Sequence, residues 1–140
     1  MADAARKFNV AEAPLHREAP NNIEAEQALL GAILVNNDAF YRVSDFLKPS
    51  HFYEPLHRRI FEVAAELIRM GKIATPITLK TFLPADEKLG DITVAHYLVR
   101  LAAEAVTVIN AMDYGRAIYD LATRRALITV GEDMVNIAYD

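Results

Sequence analysis

The stretch PLHRRIFEVAAELIRMG, which runs from Pro55 to Gly71, decides the fold class of this chain. Its apolar residues recur three and four positions apart, which is the spacing of one face of an α-helix. Proline is favoured in the first turn of a helix, and Gly71 supplies the left-handed residue that ends one. The stretch therefore predicts an amphipathic helix over Pro55–Met70.

Segments on both sides of this helix repeat its spacing, whereas alternating polar and apolar runs joined by Asn-Gly turns are absent. They predict further helices over about residues 23–35, 38–47, 76–83, 93–103 and 110–139. The first of these also has small surfaces that another backbone can approach, at Ala25, Ala28, Gly31 and Ala32. The sequence therefore predicts an all-α fold, with a compact head of about six helices that ends in a long helix.

Composition bounds the domain organisation. The chain has 140 residues, 53% of them hydrophobic and 24% charged, which is the balance of a globular domain with a real core. It has no cysteine, which excludes disulfides and thiolate metal sites and favours a cytoplasmic setting. Residues 1–19 mix alanine with charges and lack the apolar core of a secretion signal. We expect a flexible lead-in over 1–19 and one helical domain over 20–140.

Charge and hydropathy limit the partners. The formal net charge is -4 and the pI is near 5.5, so the domain as a whole would repel a phosphate backbone. No apolar run approaches the roughly 20 residues that span a bilayer, and we expect no membrane role. Two basic pairs, Arg58-Arg59 and Arg124-Arg125, keep a stand-alone helical nucleic-acid-binding module as the alternative function.

The second half of the predicted terminal helix is apolar on two sides. One stripe consists of Leu127, Val130, Met134 and Ala138. A second stripe, about a third of a turn away, consists of Ile128 and Val135. The head can cover one stripe, so the second implies a missing continuation of the chain or another subunit. The residues predicted to mediate self-association are Leu127, Ile128, Val130, Met134 and Val135. A head that wraps the whole helix is the alternative.

The sequence offers no recognisable site for chemistry. The four histidines, His16, His51, His57 and His96, are scattered, and the serines stand in no nucleophile elbow. Gly71-Lys72 lacks the other residues of a phosphate-binding loop. We therefore predict no catalytic, cofactor-binding or metal-binding residue. His57 is interpreted as a hydrogen-bonded structural histidine.

Three runs form a specific combination: PNNIEAEQALLG over 20–31, HFY over 51–53 and LHRRIF over 56–61. Later pieces agree with them, namely residues 76–79, 88–91 and 97–98 and the long helix from Asn110 through Arg124-Arg125. Together they resemble the N-terminal domain of bacterial replicative DNA helicases of the DnaB family. The resemblance covers almost everything after Ala19.

This resemblance implies a parent protein that is a homohexameric ring motor. Its RecA-like C-terminal domain would hydrolyse ATP with Mg²⁺ and unwind DNA from 5′ to 3′ at the replication fork, and this chain stops short of that domain. The chain alone is then no enzyme and holds no cofactor. The implied partners are a second copy of the chain, in a trimer of dimers, and the C-terminal helicase-binding domain of primase. A helicase loader would be a further partner, and DNA would be bound mainly by the C-terminal domain.

The resemblance also implies partner positions. The primase surface of the family draws on the first helix, the helix over 93–103 and the terminal helix, which places it here at Glu24, Tyr97, Ile128 and Met134. The terminal helix would be the first arm of the helical hairpin used in pairing. Taken from the residues alone, Tyr97 and Ile128 are equally compatible with core positions. Met134 is compatible with a gap filler, and Glu24 with an acid that complements the helix dipole.

Overall fold

A computed structural model describes residues 17–85, 88–105 and 110–140 of the chain. Its α-helices are α1 (Ile23–Val35), α2 (Pro55–Arg69), α3 (Pro76–Leu79), α4 (Val94–Ala103) and α5 (Ala111–Tyr139). Two 3₁₀ helices, η1 (Asn37–Arg42) and η2 (Pro49–His51), lie between α1 and α2. Two short strands, β1 (Lys88–Leu89) and β2 (Ile92–Thr93), precede α4. The predicted all-α fold is confirmed, with this small hairpin added. Most of the predicted lead-in, residues 1–16, lies outside the described residues.

The helix α1 lies at the centre of the head and packs mainly against α4 and α5. The side chain of Asn22 caps it by accepting the backbone N–H of Ala25 at 2.9 Å. A Cβ atom at Gly31 would stand 2.3 Å from the backbone oxygen of Leu101 in α4. The missing side chain of this glycine therefore sets how closely α1 and α4 approach. The tight packing predicted for the first helix is confirmed.

The helix α2 matches its predicted bounds to within one residue. The side chain of Glu54 caps it by accepting the backbone N–H of Leu56 at 3.3 Å, and a proline occupies its first position. Gly71, with a φ of 77°, ends it. On its buried face the Phe61 ring lies 4.9 Å from the ring of Phe52, measured between centroids. This helix therefore packs against residues 51–54, which we call the connector and which lie directly before it in the chain.

The segment after α1 is not the α-helix that the sequence predicts over about residues 38–47; it is the 3₁₀ helix η1 followed by turns. The side chain of Asn36 accepts a backbone N–H two residues further on at 3.0 Å. The amide of Asn37 donates to the backbone oxygens of Ile33 and Ala74, both at 2.8 Å. The local bonds of Asn36 and Asn37 compete with an α-helical first turn, and the bond to Ala74 ties the segment to a distant part of the chain. The apolar residues of the predicted helix are buried nonetheless, namely Phe40, Val43 and Leu47.

The helix α3 is shorter than the predicted helix over 76–83. Thr75 and Thr78 form a capping box at its start, and after its last residue the chain continues in turns. The turn predicted at residues 88–91 is present as the tip of the hairpin. There β1 and β2 pair in antiparallel fashion, and Gly90 has a φ of 66°, which favours glycine.

The helix α5 is the predicted long helix. It is continuous over 29 residues, which corresponds to about 43 Å at the rise of an α-helix. Its buried residues are Ala111, Gly115 and Ile118, all in the first third. A Cβ atom at Gly115 would stand 2.5 Å from Cγ1 of Val43, so the start of α5 lies directly on the segment after η1. The head therefore holds α5 firmly at one end.

Candidate interaction surfaces

The far half of α5, which we define as residues 126–139, runs clear of the core of the head. The exposed side chains there include Leu127, Ile128, Val130, Met134 and Val135. Even the least exposed of these five, Ile128, has 44% of its surface accessible. The expectation that the head covers one apolar stripe is therefore wrong, because the core contacts of α5 end near Ile118 while the helix continues. The same exposure excludes a head that wraps the whole helix.

Two adjacent shallow grooves lie along this far half. Ile128, Gly131 and Val135 line the first, with polar residues at its edge. Apart from neighbouring residues and the backbone of α5 itself, no described atom lies within 4 Å of the position that a Cβ of Gly131 would take. The second groove shares Ile128 and Glu132 with the first and is lined on its other side by residues 17–20. The first groove, with a glycine on its floor, has the shape that a second helix could approach closely.

Arg125, which we call the anchor of α5, fastens this helix to the head at the point where the far half begins. Its Nη1 donates to the backbone oxygen of Pro20 and its Nη2 to that of His51, both at 2.7 Å. The guanidinium lies 5.3 Å from the centroid of the Tyr53 ring. Burial lowers the pKa of the Arg125 guanidinium, and the carboxylate of Glu26 opposes this shift. One side chain thus joins α5 to two separate parts of the chain, at residue 20 and at residues 51–53.

Four polar side chains on α1, α2 and α4 form a connected set that we call the buried relay: Gln27, Tyr97, His57 and Glu26. The Gln27 Nε2 donates to the Tyr97 Oη at 3.1 Å. The Tyr97 Oη lies 2.6 Å from Nε2 of His57, and Nδ1 of His57 lies 2.8 Å from Oε1 of Glu26. Because a carboxylate only accepts, Nδ1 of His57 carries a proton, and in the neutral imidazole the Tyr97 hydroxyl then donates to Nε2. With this tautomer each member of the relay donates to the next, from Gln27 through Tyr97 and His57 to Glu26.

The surroundings of the relay make it a structural element. The exposed fraction is 0% for His57, 2% for Glu26 and 3% for Tyr97. Burial raises the pKa of the Tyr97 phenol, which keeps its proton in place, while the hydrogen bond from Gln27 acts in the opposite direction. Both ring nitrogens of His57 are occupied, so no position is open to a substrate. The interpretation of His57 as a hydrogen-bonded structural histidine is confirmed.

Sequence reasoning missed two members of this set, Gln27 and Glu26. The carboxylate of Glu26 also accepts the backbone N–H groups of Tyr53 at 2.7 Å and Glu54 at 3.3 Å. The sequence does contain a signal for Glu26, because it falls three and four residues before Leu29 and Leu30, on the apolar face of α1. A carboxylate on a core face requires buried donors.

The four predicted partner positions fall in two places. Glu24 is exposed at the start of α1 and lines a groove between α1 and α4, together with Gln27, Ala28, Leu101 and Glu104. Tyr97 lies beneath this groove, and its enclosed ring offers no surface to a partner unless α1 and α4 part. The other two positions, Ile128 and Met134, are exposed on the far half of α5. The structure therefore places Glu24 beside the relay, whereas Ile128 and Met134 lie on two different faces of the far half of α5.

In each of the two arginine pairs, one arginine donates hydrogen bonds to backbone oxygens of the chain itself. The Arg58 Nε donates to the backbone oxygen of Phe52 at 2.8 Å, and its Nη2 donates to that of Tyr53 at 3.2 Å. Arg125 is the anchor described above. Because one member of each pair already binds backbone oxygens, the pairs argue less for a phosphate-binding surface than their sequence suggests.

The remaining histidine near these surfaces is also structural. Nδ1 of His51 accepts the backbone N–H of Lys48 at 2.9 Å, and its ring meets the Tyr119 ring edge-on. Burial lowers the pKa of His51, and the charges of Lys48 and Arg125 lower it further. Across the described ranges, no three His, Asp or Glu side chains form a group that could hold a metal ion. In the same part of the chain, no helix has the length and apolar character needed to cross a membrane.

Comparison with known proteins gives a consistent picture. The family model of the DnaB-like helicase N terminal domain matches residues 18–120. The replicative DNA helicase DnaB of Rickettsia felis is 48% identical over 130 residues, which are 93% of this chain and 26% of that protein. The DnaB of Pasteurella multocida is 34% identical over 120 residues, which are 86% of this chain and 26% of that protein. The chain thus spans about a quarter of the length of these curated relatives.

Solved structures agree. The crystal structure of the N-terminal domain of DnaB helicase from Mycobacterium tuberculosis has a TM-score of 0.79 and 30% identity, and the match covers 87% of each chain. The N-terminal domain of DnaB helicase from Helicobacter pylori has a TM-score of 0.68 and 21% identity, with 83% of this chain and 90% of that one covered, which supports the fold alone. The family predicted from the sequence runs is confirmed: this chain belongs to the DnaB-like N-terminal domains of replicative DNA helicases.

Proposed function

We propose that this chain is the self-association and primase-docking domain of a hexameric replicative DNA helicase. In this proposal the domains pair through α5, as the first arm of a helical hairpin, and assemble as a trimer of dimers. ATP hydrolysis with Mg²⁺ and unwinding of DNA from 5′ to 3′ would belong to a C-terminal domain outside this chain. We also expect a helicase loader as a partner of the parent protein, and DNA contacts mainly through that C-terminal domain.

The observation that carries the proposal is the exposed apolar surface on the far half of α5. Burying apolar surface is worth about 25 cal/mol per Å², and monomeric proteins rarely expose large contiguous apolar patches. Gly131 leaves room for a second backbone between Ile128 and Val135. A second helix is therefore the partner that this face fits best.

The docking part of the proposal has its own support. The Helicobacter pylori domain was described together with its interactions with primase. Three of the four predicted primase positions, Glu24, Ile128 and Met134, are exposed in this chain. Met side chains adapt their shape to a partner, and a carboxylate such as that of Glu24 can pair with a basic side chain.

Sedimentation velocity of the chain, alone and with the C-terminal domain of its cognate primase, tests both parts. We expect dimers or larger assemblies of the chain alone, and a faster boundary that contains both proteins in the mixture. A chain that stays monomeric at high concentration would contradict self-association. Two independent boundaries in the mixture would contradict docking.

Replacing Val135 with aspartate is expected to raise the dissociation constant of self-association by about tenfold or more. The change puts a charge on the apolar face that pairing would bury, whereas the side chain is already exposed in the single chain. The free energy of unfolding at low protein concentration should change by less than about 0.5 kcal/mol. Ile128→Asp should behave in the same way.

Ile77→Asp is the matched control, since Ile77 is an exposed apolar residue on α3 and not on α5. Sedimentation equilibrium gives the dissociation constants, and urea unfolding gives the stabilities. An unchanged dissociation constant for a folded Val135→Asp variant would contradict pairing through this face.

Replacing Glu24 with lysine is expected to weaken binding to the C-terminal domain of the cognate primase by about tenfold. The exposed carboxylate lies at the mouth of the α1–α4 groove, and reversing its charge would repel a basic side chain of the partner. Glu66→Lys, an equally exposed change of the same charge on α2, serves as the control. Isothermal titration calorimetry measures both affinities. Equal affinities for the two variants would rule out a contact at Glu24.

A further inference from the structure

The buried relay begins at one interaction surface. The side chain of Gln27 lines the α1–α4 groove together with Glu24, and its amide donates to the Tyr97 hydroxyl below. This hydroxyl also bonds His57 on α2, so it joins all three helices of the relay at one atom. A change at the groove that moves Gln27 therefore acts on the hydroxyl that also makes the buried hydrogen bond to His57.

The relay continues beyond Glu26 to the connector in front of α2. The Glu26 carboxylate accepts the His57 Nδ1–H and, on the other side, the backbone N–H groups of Tyr53 and Glu54. The position of the Tyr53 backbone thus depends on where the carboxylate is held. No other described side chain accepts these two N–H groups.

The connector in turn holds the anchor of α5. The Tyr53 ring lies beneath the guanidinium of Arg125, and the backbone oxygen of His51 accepts one of its N–H groups. The negative charge of Glu26 also favours the charged form of Arg125. Hydrogen bonds and one ring contact therefore run without a gap from the α1–α4 groove to the base of the far half of α5.

We infer that the buried relay couples the α1–α4 groove to the anchor of α5 at Arg125, with Tyr97 as a positioning residue that transmits a change from one to the other. Removing the Tyr97 hydroxyl breaks two of the links at once and leaves the His57 imidazole held from one side. Fewer hydrogen bonds would then hold the carboxylate of Glu26 in place, and with it the backbone of residues 53–54. The inference rests on the proposed function only for the identity of the partners.

Hydrogen exchange of a Tyr97→Phe variant tests the first part of the coupling. This change keeps the ring and removes only the hydroxyl. We expect the amides of Tyr53 and Glu54 to exchange at least tenfold faster than in the unchanged chain, after correction for the amide of Leu67 at the other end of α2. Tyr41→Phe, which alters an exposed phenol on η1, should leave both amides unchanged. Equal acceleration at Leu67 would show a general loss of stability and overturn the inference.

A double-mutant cycle tests the last part of the coupling, from the connector to Arg125 on α5. The free energies of unfolding of Tyr97→Phe, Arg125→Lys and the double variant should not add, whereas those of Tyr41→Phe and Arg125→Lys should. Strict additivity for the first pair would overturn the coupling to α5. Both experiments are carried out at concentrations where the chain is monomeric. A failure of self-association would contradict the proposed function. It would not change the exchange rates or the free energies of unfolding that test the coupling.

Discussion

Replacing Gly31 with alanine is expected to destabilise the chain by about 3 kcal/mol, far more than a methyl group usually costs on a helix. The new Cβ would stand 2.3 Å from the backbone oxygen of Leu101 and 3.2 Å from its carbonyl carbon. A backbone oxygen inside a helix cannot turn away as a flexible side chain can, so α1 and α4 would have to separate. Their separation would open the core on both sides of α1.

Gly131→Ala is the matched control for this change. It is the same substitution on another helix, but apart from neighbouring residues and the backbone of α5 itself no described atom lies within 4 Å of the new Cβ. Alanine has the higher helix propensity, so we expect a gain of about 0.5–1 kcal/mol for the single chain. Urea unfolding followed by circular dichroism measures both. A Gly31→Ala variant that loses less than about 1 kcal/mol would show that the two helices can move apart freely.

Replacing Glu26 with alanine should cost about 4 kcal/mol, because each buried donor that loses its acceptor costs roughly 1–3 kcal/mol. Three donors lose their acceptor together: the His57 Nδ1–H and the backbone N–H groups of Tyr53 and Glu54. Each of them lies inside or at the edge of the core, where water replaces a lost acceptor poorly. The cavity left by the side chain adds to the loss.

Glu24→Ala is the control for this prediction, because Glu24 is exposed two residues earlier in the same helix. Its loss should cost less than about 1 kcal/mol, the size of an interaction with the helix dipole. Thermal unfolding of the two variants in the same buffer compares them. Similar midpoints would mean that Glu26 contributes no more than an ordinary surface acid, contrary to its hydrogen bonds.

Local sequence signals predicted most of the helices because each signal depends only on residues that are close together in the chain. Pro55 and Gly71 bound α2 by backbone preferences alone, and the spacing between them needs no knowledge of neighbours. The segment over 38–47 shows the opposite case. There the amide of Asn37 bonds Ala74, a residue far along the chain, and no sequence pattern reports this contact in advance.

The interaction surfaces also have features that local sequence signals predict and features that depend on residues far apart in the chain. The apolar residues of the far half of α5 could be read from the sequence, since Ile128 and Val135 stand off the stripe formed by Leu127 and its neighbours. How far the head covers α5 could not be predicted from the sequence, because it depends on where the core ends. The burial of Tyr97 likewise depends on Gln27 and His57, which approach it from two other helices.

The anchor at Arg125 has a mechanical consequence. The 14 residues from 126 to 139 extend beyond it in one helix, a length of about 21 Å. On a lever of that length, a tilt of about 10° at the pivot displaces the tip by about 4 Å, close to the width of a side chain. The angle between the far half of α5 and the head would therefore determine which side chains of an opposing helix pack between which side chains of α5. A small change in the position of the Tyr53 ring would produce a larger displacement at the end of α5.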